Sequence, residues 1–483
     1  MFGLFSSKKS EDTTIPVKFL NTESGEKEVF EPLTKGKVKM YSCGPTVYDY
    51  VHIGNLRSFL MADLIKRVLI FNDYDVKHTM NFTDFGHLTD DGDAGEDKMM
   101  KGLKREGLPI TLAAMRQLSD TYITAFKKDI EALNIIEPTT YSRASDYLQD
   151  QINLIKTLEQ KGYTYETSDG LYFDISKFPT YGRLGKIDLD KIRDGARVEI
   201  NKEKRHQADF AVWKKGLLGW ESKWEKGFPG WHIECSAMAM ATLGKQIDIH
   251  TGGEDLVHPH HNAEIAQSES ATGKRFVHYW MHNAFITIDN TKIAKSLGNS
   301  ITMRHLHDQG FSGEDYRYWL LQAHYRSPAN FSFEALKAAK QALFRLKRHV
   351  YEEYGNVYTE ADAGYIERFT AAINDDIDTP KALALMWEVT KDDSLSREVK
   401  SSTLKDMDGV LGLGLNEATD DAVRELGVVA PEELPEEIQT LLDEREAARI
   451  AHNWDRADAI REELNFKGYS LEDTPHGAKV TKN

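Results

Sequence analysis

The chain has 483 residues, of which 40% are hydrophobic, and it carries a formal net charge of −16. Its length predicts several domains with an ample core, and its acidic balance does not favour general nucleic-acid binding, which needs clustered lysine and arginine. No apolar run approaches the ~18 residues of a membrane helix. The two cysteines of the whole chain favour a reducing, cytoplasmic setting over a disulfide framework. Residues 1–13 are expected to form a polar tail without a secretory signal.

The first regular elements predict a parallel sheet. KVKMYSC (37–43) has the pattern of a strand that ends at Gly44. Residues 52–71 carry leucine or valine at four-residue steps, which predicts an amphipathic helix, and residues 75–83 predict a second strand. Strand, helix and strand make a βαβ unit, and such units build parallel sheets.

His52, Gly54 and Asn55 lie where the chain enters this predicted helix. In parallel sheets, ligands bind beyond the carboxyl ends of the strands, and phosphates favour helix N-termini. These residues are therefore candidates for nucleotide contact. They also suit a plain helix cap and turn, so the residues alone leave both interpretations open.

Residues from about 85 to 228 are predicted to form a long insertion. It opens with an acidic loop, and a helix follows whose apolar positions should face inward. These positions are Met115, Leu118, Tyr122, Phe126, Ile130 and Leu133. After Pro138, residues 163–175 predict a hairpin that turns near Asp169.

The stretch from Gly230 to Glu264 gathers side chains that bind metals. Cys235 is one of the two cysteines, and His260 and Glu264 are four residues apart, which places both on one face of a helix. Zinc takes four ligands from cysteine, histidine and carboxylate, so Cys43 is the candidate for the fourth. The alternatives are a buried free cysteine beside a surface His–Glu pair, or a disulfide between Cys43 and Cys235.

Two further segments carry candidate ligand contacts. Gly252 and Gly253 follow a short strand and allow a close backbone approach, while Asp255 could accept from a ribose hydroxyl or cap a helix. Residues 278–289 form another strand pattern and lead into a basic loop, which could hold polyphosphate or be solvated. The candidate residues of this loop are Lys292, Lys295 and Ser296.

From about Gly313 onward the pattern is almost wholly helical. Residues 335–350 carry an apolar stripe, and the basic residues beside it could meet nucleic acid or form a solvated face. The stripe consists of Leu336, Ala339, Leu343, Leu346 and Val350. An acidic link at about 416–437 precedes a last unit, in which residues 443–464 are predicted to be helical.

Taken together, these segments resemble the cysteinyl-tRNA synthetases, which are class I aminoacyl-tRNA synthetases, over nearly the whole chain. CGPTVYDYVHIGN is similar to the family's first zinc ligand and HIGH-type ATP motif, and GWHIECSAM to the segment of its second ligand. PHHNAE is similar to the segment of the remaining ligands, KIAKS to the KMSKS-type loop, and RFTAAINDDIDTPKAL to the helical bundle.

This resemblance implies a cysteine–tRNA ligase, which activates L-cysteine with ATP to cysteinyl-adenylate and transfers it to the 3'-terminal adenosine of tRNA(Cys). It implies one Zn²⁺ per chain, held by Cys43, Cys235, His260 and Glu264, that selects the substrate thiolate, and Mg²⁺ with ATP. We expect a cytoplasmic monomer that does not bind membranes.

The resemblance also implies further site residues. The catalytic set is His52, Asn55, Lys292, Lys295 and Ser296. The ATP contacts are His52, Gly54, Asn55, Gly252, Gly253, Asp255 and Lys295. The amino-acid pocket consists of Gly44, Thr46, Thr83 and Trp231. The candidate tRNA contacts are Arg456, Asp458, Arg461 and Asp473.

The chain departs from the family pattern at four places. Asn55 replaces the second histidine of HIGH, and KIAKS has Ile293 and Ala294 where methionine and serine are common. PHHNAE has asparagine and alanine in place of the usual glutamate and asparagine, so support of the metal could differ. The C-terminus lacks a tryptophan that often follows LEDTPHG, which affects the expected anticodon contacts.

The fold class expected is α/β, with a Rossmann-like parallel-sheet catalytic domain, a long insertion, an all-α helical bundle and a small C-terminal domain. The expected divisions are catalytic domain 14–300, stem-contact region 301–334, helical bundle 335–415, linker 416–437 and anticodon-binding unit 438–483. Two other hypotheses are a ligase that joins cysteine to an amino sugar and a non-catalytic tRNA-binding paralogue.

Overall fold

The computed structural model describes residues 15–86, 97–189, 202–288, 291–293, 300–354, 358–415, 429, 434–474 and 477–482. Its strands are β1 (Lys18–Asn21), β2 (Glu26–Val29), β3 (Lys37–Ser42), β4 (Asp75–Phe82), β5 (Thr140–Arg143), β6 (Thr164–Thr167), β7 (Gly170–Phe173), β8 (Phe210–Trp220), β9 (Gly227–Pro229), β10 (Ile247–Gly253), β11 (Val277–Asn283), β12 (Ile286–Ile288), β13 (Thr291–Lys292), β14 (Ala329–Phe331), β15 (Tyr469–Thr474) and β16 (Gly477–Lys482).

Its α-helices are α1 (Ile53–Phe71), α2 (Lys98–Arg105), α3 (Leu112–Ala132), α4 (Leu148–Gln160), α5 (Trp231–Leu243), α6 (Asn262–Thr272), α7 (Met303–Asp308), α8 (Gly313–Leu321), α9 (Phe333–Arg348), α10 (Ala363–Asn374), α11 (Thr379–Lys391), α12 (Arg397–Leu411), α13 (Glu436–Ile450) and α14 (Trp454–Phe466). Within these ranges, no helix is both long enough and apolar enough to span a bilayer.

A five-stranded parallel sheet forms the centre of the molecule, in the order β11-β10-β3-β4-β5. If β3, β4, β5, β10 and β11 are numbered 1 to 5 in chain order, their order across the sheet, starting from the β5 edge, is 3-2-1-4-5. This is the arrangement of dinucleotide-binding folds. The order reverses between β3 and β10, and ligands bind beyond the strand ends at such a reversal. The predicted α/β class and parallel sheet are confirmed.

Helix α1 connects β3 to β4 and packs beneath this reversal. It was predicted to be amphipathic, but it is buried on nearly all sides because the sheet covers one face and the helical bundle covers the other. Its buried charged residues therefore bond to other protein groups: Arg57 and Lys66 donate to backbone carbonyls, and Asp63 lies in an ion-pair cluster. Asp63 accepts from Arg67 at 2.9 Å and from Arg317 of α8 at 2.7 Å, and all three side chains are buried.

The predicted insertion at 85–228 is divided between two sheets. Residues Thr140–Arg143 return to the central sheet as β5, beside β4, so this part of the interval belongs to the core of the fold. Strands β6 to β9 form a separate antiparallel sheet, which has a core of its own around Phe173 and Trp213. All six predicted inward positions are buried, five of them in α3 and the sixth, Leu133, directly after it, which confirms that helix.

The strand predicted at 278–289 is two strands in different sheets. Strand β11 ends at Asn283, and β12 begins at Ile286 and pairs with β13 and β14. The chain bends between them because Ala284 N–H donates to Tyr325 O at 3.0 Å instead of continuing the β10 ladder. The segment that leads into the basic loop therefore belongs to a small separate sheet.

From Gly313 to Leu411 the described chain is mostly helical, as predicted, with the short strand β14 between α8 and α9. The apolar stripe of α9 and of the turn after it is buried at every predicted position. The last unit differs from the prediction, because its helical segment is broken at His452, which has a φ of 55°, into α13 and α14. The hairpin of β15 and β16 follows, with α14 packed against β15. The predicted linker 416–437 falls mostly outside the described residues, and α13 already begins at Glu436.

Candidate active site

A cavity of about 680 Å³ opens at the carboxyl ends of the central strands. Cys43 and Gly44 follow β3, Thr83 follows β4, and Gly253 and Asn283 end β10 and β11; all of them line it. The start of α1 supplies His52, Gly54 and Asn55, and the start of α5 supplies Trp231. The reversal of strand order thus brings the predicted nucleotide and amino-acid residues to one cavity.

The four predicted metal ligands lie together, and three of them, Cys43, Cys235 and His260, line this cavity. Cys43, Cys235, His260 and Glu264 each offer a donor atom, and these atoms all lie within 4.8 Å of one another. The distances are 3.9 Å between the two Sγ atoms, 3.8 Å from Cys43 Sγ to Glu264 Oε1 and 3.2 Å from His260 Nε2 to Glu264 Oε1. A tetrahedral zinc with bonds of about 2.0–2.3 Å has edges of about 3.3–3.8 Å between its ligands, so the group fits zinc.

The alternatives for these residues do not match the structure. Cys43 and Cys235 are free thiols with their sulfurs 3.9 Å apart, which is too far for the ~2.05 Å bond of a disulfide. His260 and Glu264 are 1% and 0% exposed, so they are not a surface ion pair. A buried Cys, His and carboxylate group needs a cation or internal protons to balance it.

The surroundings hold two donors of this group in anionic form. Burial alone would raise the pKa of Cys235, but the hydrogen bond from Cys43 and the neighbouring His260 lower that pKa to about 6. Burial would likewise raise the pKa of Glu264, and the adjacent His250 lowers it to about 2. Thiolate and carboxylate are the forms that bind a metal. Burial would lower the pKa of His260, but Cys235 and Glu264 in turn raise it to about 10, so a metal bound here would replace the proton on that imidazole.

A second group of potential ligands shares two members with the first. It consists of Cys43, His250, His261 and Glu264. His250 Nε2 lies 3.0 Å from Glu264 Oε2, and His261 Nε2 lies 3.4 Å from Cys43 Sγ. In zinc sites, such neighbours orient the ligands through hydrogen bonds. The first group includes both cysteines, the donors zinc prefers, so we assign the supporting role to His250 and His261.

These supporting histidines form a buried network that the sequence did not predict. His261 Nδ1 lies 2.7 Å from His282 Nε2, and His282 Nδ1 lies 2.8 Å from Thr22 Oγ1. On the other side, His232 and His260 join their Nδ1 atoms at 2.9 Å. His250 and His282 lie on separate strands and both contact His261, so no spacing along the chain signals that they belong to one cluster.

The predicted amino-acid pocket lies beside the metal ligands. The Trp231 ring stacks on His260 with ring centroids 4.4 Å apart. Thr83 Oγ1 donates to Glu234 Oε2 at 3.0 Å, and its backbone bridges to Thr46. Gly44 allows a close approach, because a Cβ there would lie 1.7 Å from Asn81 O. All four predicted pocket residues line the cavity.

The turn at His52 forms a reciprocal cap on α1. Asn55 N–H donates to His52 Nδ1 at 3.2 Å, and His52 N–H donates to Asn55 Oδ1 at 3.2 Å. An imidazole that accepts at Nδ1 carries its proton at Nε2 and can donate from there. Asn55, which stands where the family pattern has histidine, therefore also fixes the ring of His52 at the cavity.

The remaining predicted ATP residues are only partly described. Gly253 and Asp255 line the cavity, whereas Gly252 does not and instead lies against the His261 ring. Lys292 belongs to β13 through its backbone, and Ile293 lines the cavity. Lys295 and Ser296 lie outside the described residues.

Asn262, which replaces a glutamate of the family pattern, does not contact the metal ligands in the described part of the chain. Its side chain donates to Leu184 O at 3.0 Å and to Val257 O at 2.7 Å. It therefore ties the insertion to the turn that carries His260.

Lys98, at the start of α2, is another cavity residue that the sequence did not predict, and its ammonium lies 5.9 Å from the Trp231 ring centroid.

The predicted tRNA residues are not equivalent in the structure. Asp473 of β15 is bound by three arginines: it accepts from Arg445 and Arg461 at 2.8 Å and also pairs with Arg449. The hydrogen bond from Arg445 is the main cause that lowers the pKa of Asp473 to about 2. Arg461 and Asp473 therefore hold the hairpin against α13 and α14.

Arg456 and Asp458 lie on the surface of α14. Arg456 pairs with Glu444 at 2.8 Å, and both side chains are half exposed, while the Asp458 side chain is 75% exposed. Beside them, Trp454 is 56% exposed at the first position of α14. Exposed aromatic rings are platforms for stacking bases, and the sequence pattern alone did not select this residue.

Comparisons with known proteins show the family to which the chain belongs. Residues 29–341 match the family described as tRNA synthetases class I (C) catalytic domain, and residues 431–480 match the cysteinyl-tRNA ligase anticodon binding domain. Cysteine–tRNA ligase 1 of Burkholderia lata is 44% identical over 476 residues, which cover 96% of this chain and 97% of that protein. The chain belongs to the cysteine–tRNA ligase family. Cysteine–tRNA ligase of Treponema denticola is 41% identical and covers 95% of this chain and 98% of that protein.

Solved structures show the same fold at low identity. Methionyl-tRNA synthetase of Mycobacterium tuberculosis, in complex with methionyl-adenylate, aligns with a TM-score of 0.56 and 14% identity over 83% of this chain and 94% of that chain. The ternary LeuRS–tRNA–LeuAMS complex from Agrobacterium radiobacter aligns with a TM-score of 0.60 and 11% identity over 83% of this chain and 86% of that chain. The chain thus shares its fold with these tRNA synthetases.

Proposed function

We propose that the chain activates L-cysteine with ATP to cysteinyl-adenylate and then transfers the cysteinyl group to the 3'-terminal adenosine of tRNA(Cys). The observation that carries this proposal is the cluster of Cys43, Cys235, His260 and Glu264, three of which line the same cavity as His52 and Trp231. Membership of the cysteine–tRNA ligase family supports the same reaction.

The metal of this site is proposed to be one Zn²⁺ per chain, held by Cys43, Cys235, His260 and Glu264. When bound, zinc offers an additional position to a thiolate and favours its deprotonated form. A pocket that separated cysteine from serine by size alone would discriminate only about a hundredfold. The residues around the metal therefore account for the choice of cysteine, while Trp231 and Thr83 bound the rest of the amino acid.

Adenylation is proposed to depend on positioning rather than on a protein nucleophile. Attack of the substrate carboxylate on the α-phosphate builds negative charge on the phosphoryl oxygens, so donors must already face them. His52 carries its donor proton at Nε2 because Asn55 N–H occupies Nδ1. Lys295 and Ser296 of KIAKS are proposed to supply further donors, with Lys292 beside them, and Mg²⁺ to accompany ATP.

The helix-and-hairpin unit at 434–482 is proposed to read the anticodon. Arg456, Asp458 and the exposed ring of Trp454 share α14 and form its candidate contact surface. Arg461 and Asp473 are proposed to act by holding the hairpin beside this surface. We propose a reducing compartment as the site of action, because Cys43 and Cys235 must both stay reduced, rather than joined in a disulfide, to bind a metal as thiolates.

The proposal is tested by cysteine-dependent ATP–pyrophosphate exchange, run beside serine, with zinc measured by mass spectrometry in the same sample. Exchange with cysteine alone at about one zinc per chain, followed by charging of tRNA(Cys), is the expected result. Zinc without exchange would favour the non-catalytic paralogue, and transfer to an amino sugar instead of tRNA would favour the sugar ligase. Exchange without zinc would overturn the account of selectivity.

A further inference from the structure

The first turn of α1 is held from outside by one side chain of α8. Tyr316 is fully buried, and its hydroxyl donates to the backbone carbonyl of Ile53 at 2.9 Å. Ile53 lies between His52 and Gly54, so this contact reaches the backbone of the proposed ATP-binding turn directly.

Ile53 is also held through its N–H group, by the chain that follows the KIAKS segment. Ile53 N–H donates to Ile301 O at 2.8 Å. Both backbone polar groups of Ile53 are thus bound by residues more than two hundred positions away. The cap between His52 and Asn55 sets the internal shape of the turn, but it does not fix the turn relative to the rest of the cavity. The contacts at Ile53 do so.

Helix α8 is a rigid support for this contact. Its start is capped by Ser312 and Asp315 reciprocally. Next to Tyr316, the Arg317 guanidinium donates to Asp63 at 2.7 Å, to Leu411 O at 2.6 Å and to Leu133 O at 2.9 Å. Arg317 therefore anchors α8 to α1, to the residue that follows α3 and to the end of α12.

The Tyr316 ring is packed as firmly as its helix. It stacks on Trp319 with centroids 5.6 Å apart and meets Phe331 edge-on at 6.3 Å. Burial raises the pKa of Tyr316 well above its ordinary value, so the hydroxyl keeps its proton and donates. Phenylalanine could keep the same ring contacts while losing only this donor.

We propose that Tyr316 is a positioning residue, whose hydroxyl holds the His52–Asn55 turn in place for ATP and links that turn to the helical bundle. The inference rests on the proposed function, since it assigns that turn to ATP. Tyr316 does not line the cavity, so it acts through His52 and Asn55. A shift of the turn would misplace both donors at once, and small misplacements of catalytic groups are costly.

The test compares Tyr316→Phe with the parent enzyme and with Tyr165→Phe. Tyr165 is a matched control, because its buried hydroxyl donates to Asp209 Oδ2 at 2.7 Å within the sheet of the insertion. Loss of one hydrogen bond in Tyr316→Phe should lower kcat/KM for ATP in the exchange reaction by about two- to tenfold. KM for cysteine and zinc content should stay unchanged, and Tyr165→Phe should leave all three unchanged.

Amide hydrogen exchange of the peptide that covers residues 52–56 supplies a readout independent of catalysis. The amide hydrogens of this peptide should exchange faster in Tyr316→Phe than in the parent, and at the parent's rate in Tyr165→Phe. The inference would be overturned if Tyr316→Phe kept both the parent's amide exchange rates and its kcat/KM for ATP. It would also be overturned if Tyr165→Phe lost as much kcat/KM for ATP as Tyr316→Phe. If the parent enzyme exchanges no pyrophosphate, the proposed function fails, and the protection of residues 52–56 still decides whether Tyr316 holds the turn.

Discussion

Replacing single donors distinguishes the two possible ligand groups of the metal site. The first group contains Cys235 and His260, the second contains His250 and His261, and both contain Cys43 and Glu264. Cys235→Ala removes a ligand only if the first group binds the metal. His261→Gln then removes only a neighbour that contacts Cys43 Sγ at 3.4 Å and His282 at 2.7 Å.

The expected losses differ in size. Four-ligand zinc sites are worth about 10–16 kcal/mol, so one donor contributes about 3–4 kcal/mol, which is about 10²- to 10³-fold in affinity. Residues that support a ligand through hydrogen bonds contribute about ten- to hundredfold. Cys235→Ala should therefore bind zinc more weakly than His261→Gln, and His250→Gln should resemble His261→Gln because His250 contacts Glu264 at 3.0 Å.

Zinc affinity is measured by competition with a chelator of known affinity, and stoichiometry by mass spectrometry of the same samples. His278→Gln is the control: this histidine lies on β11 beside Glu23 and Arg275, at a different cavity, and its replacement should leave zinc affinity unchanged. If His261→Gln or His250→Gln loses more affinity than Cys235→Ala, the second group is the metal site and the assignment made here is wrong.

Three further predictions address other parts of the chain. Lys295→Ala should retain full zinc but raise the barrier to adenylation by about 3–4 kcal/mol; exchange rates and zinc content measured together check this, and parallel loss of zinc would contradict it. Asp63→Asn should lower the free energy of unfolding by about 3–5 kcal/mol, because it leaves the buried Arg67 and Arg317 without their carboxylate; urea unfolding followed by tryptophan fluorescence checks this, and an unchanged midpoint would contradict it. The Arg445 hydrogen bond and its neighbours lower the pKa of Asp473 from 3.8 to about 2. The stabilisation of the hairpin by this carboxylate should therefore be complete above about pH 4 and be lost as the pH falls toward 2. In an acid titration, the parent and Asp473→Asn should differ in amide protection of β15 near neutral pH and converge at the acid end.

Much of the central fold follows from local patterns in the sequence. The strand of KVKMYSC, the helix that starts at His52 and the strand from Asp75 are each long and periodic, and together they define the parallel sheet. Strand β5 was missed because Thr140–Arg143 is only four residues long and lacks apolar alternation. The sequence analysis treated β11 and β12 as one strand, because no glycine or proline marks the bend after Asn283. The bend comes from a hydrogen bond to Tyr325, which is distant in sequence.

The candidate site shows the same limit. His260 and Glu264 could be paired from their spacing, Cys235 lies in the same stretch, and Cys43 was the candidate for the fourth ligand because the chain has only two cysteines. The resemblance to a family then implied the same four ligands. The histidines that surround them could not be predicted, because His232, His250 and His282 come from three elements that meet only after the sheet forms. The role of Asp473 was also open, since an aspartate in a hairpin gives no sign of the three arginines that bind it.

The position of the metal ligands explains why the sheet order matters for the chemistry. Cys43 follows β3, while His260 and Glu264 come after β10, and the order of strands reverses between these two strands. A reversal separates the two loops and leaves a crevice, which Cys235 closes from α5. Metal in this crevice would therefore join segments that the backbone alone leaves apart, and its binding energy would contribute to the folding of the cavity as well as to its selectivity. The nucleotide turn at His52 needs no such bridge, because α1, Ile301 and Tyr316 already hold it.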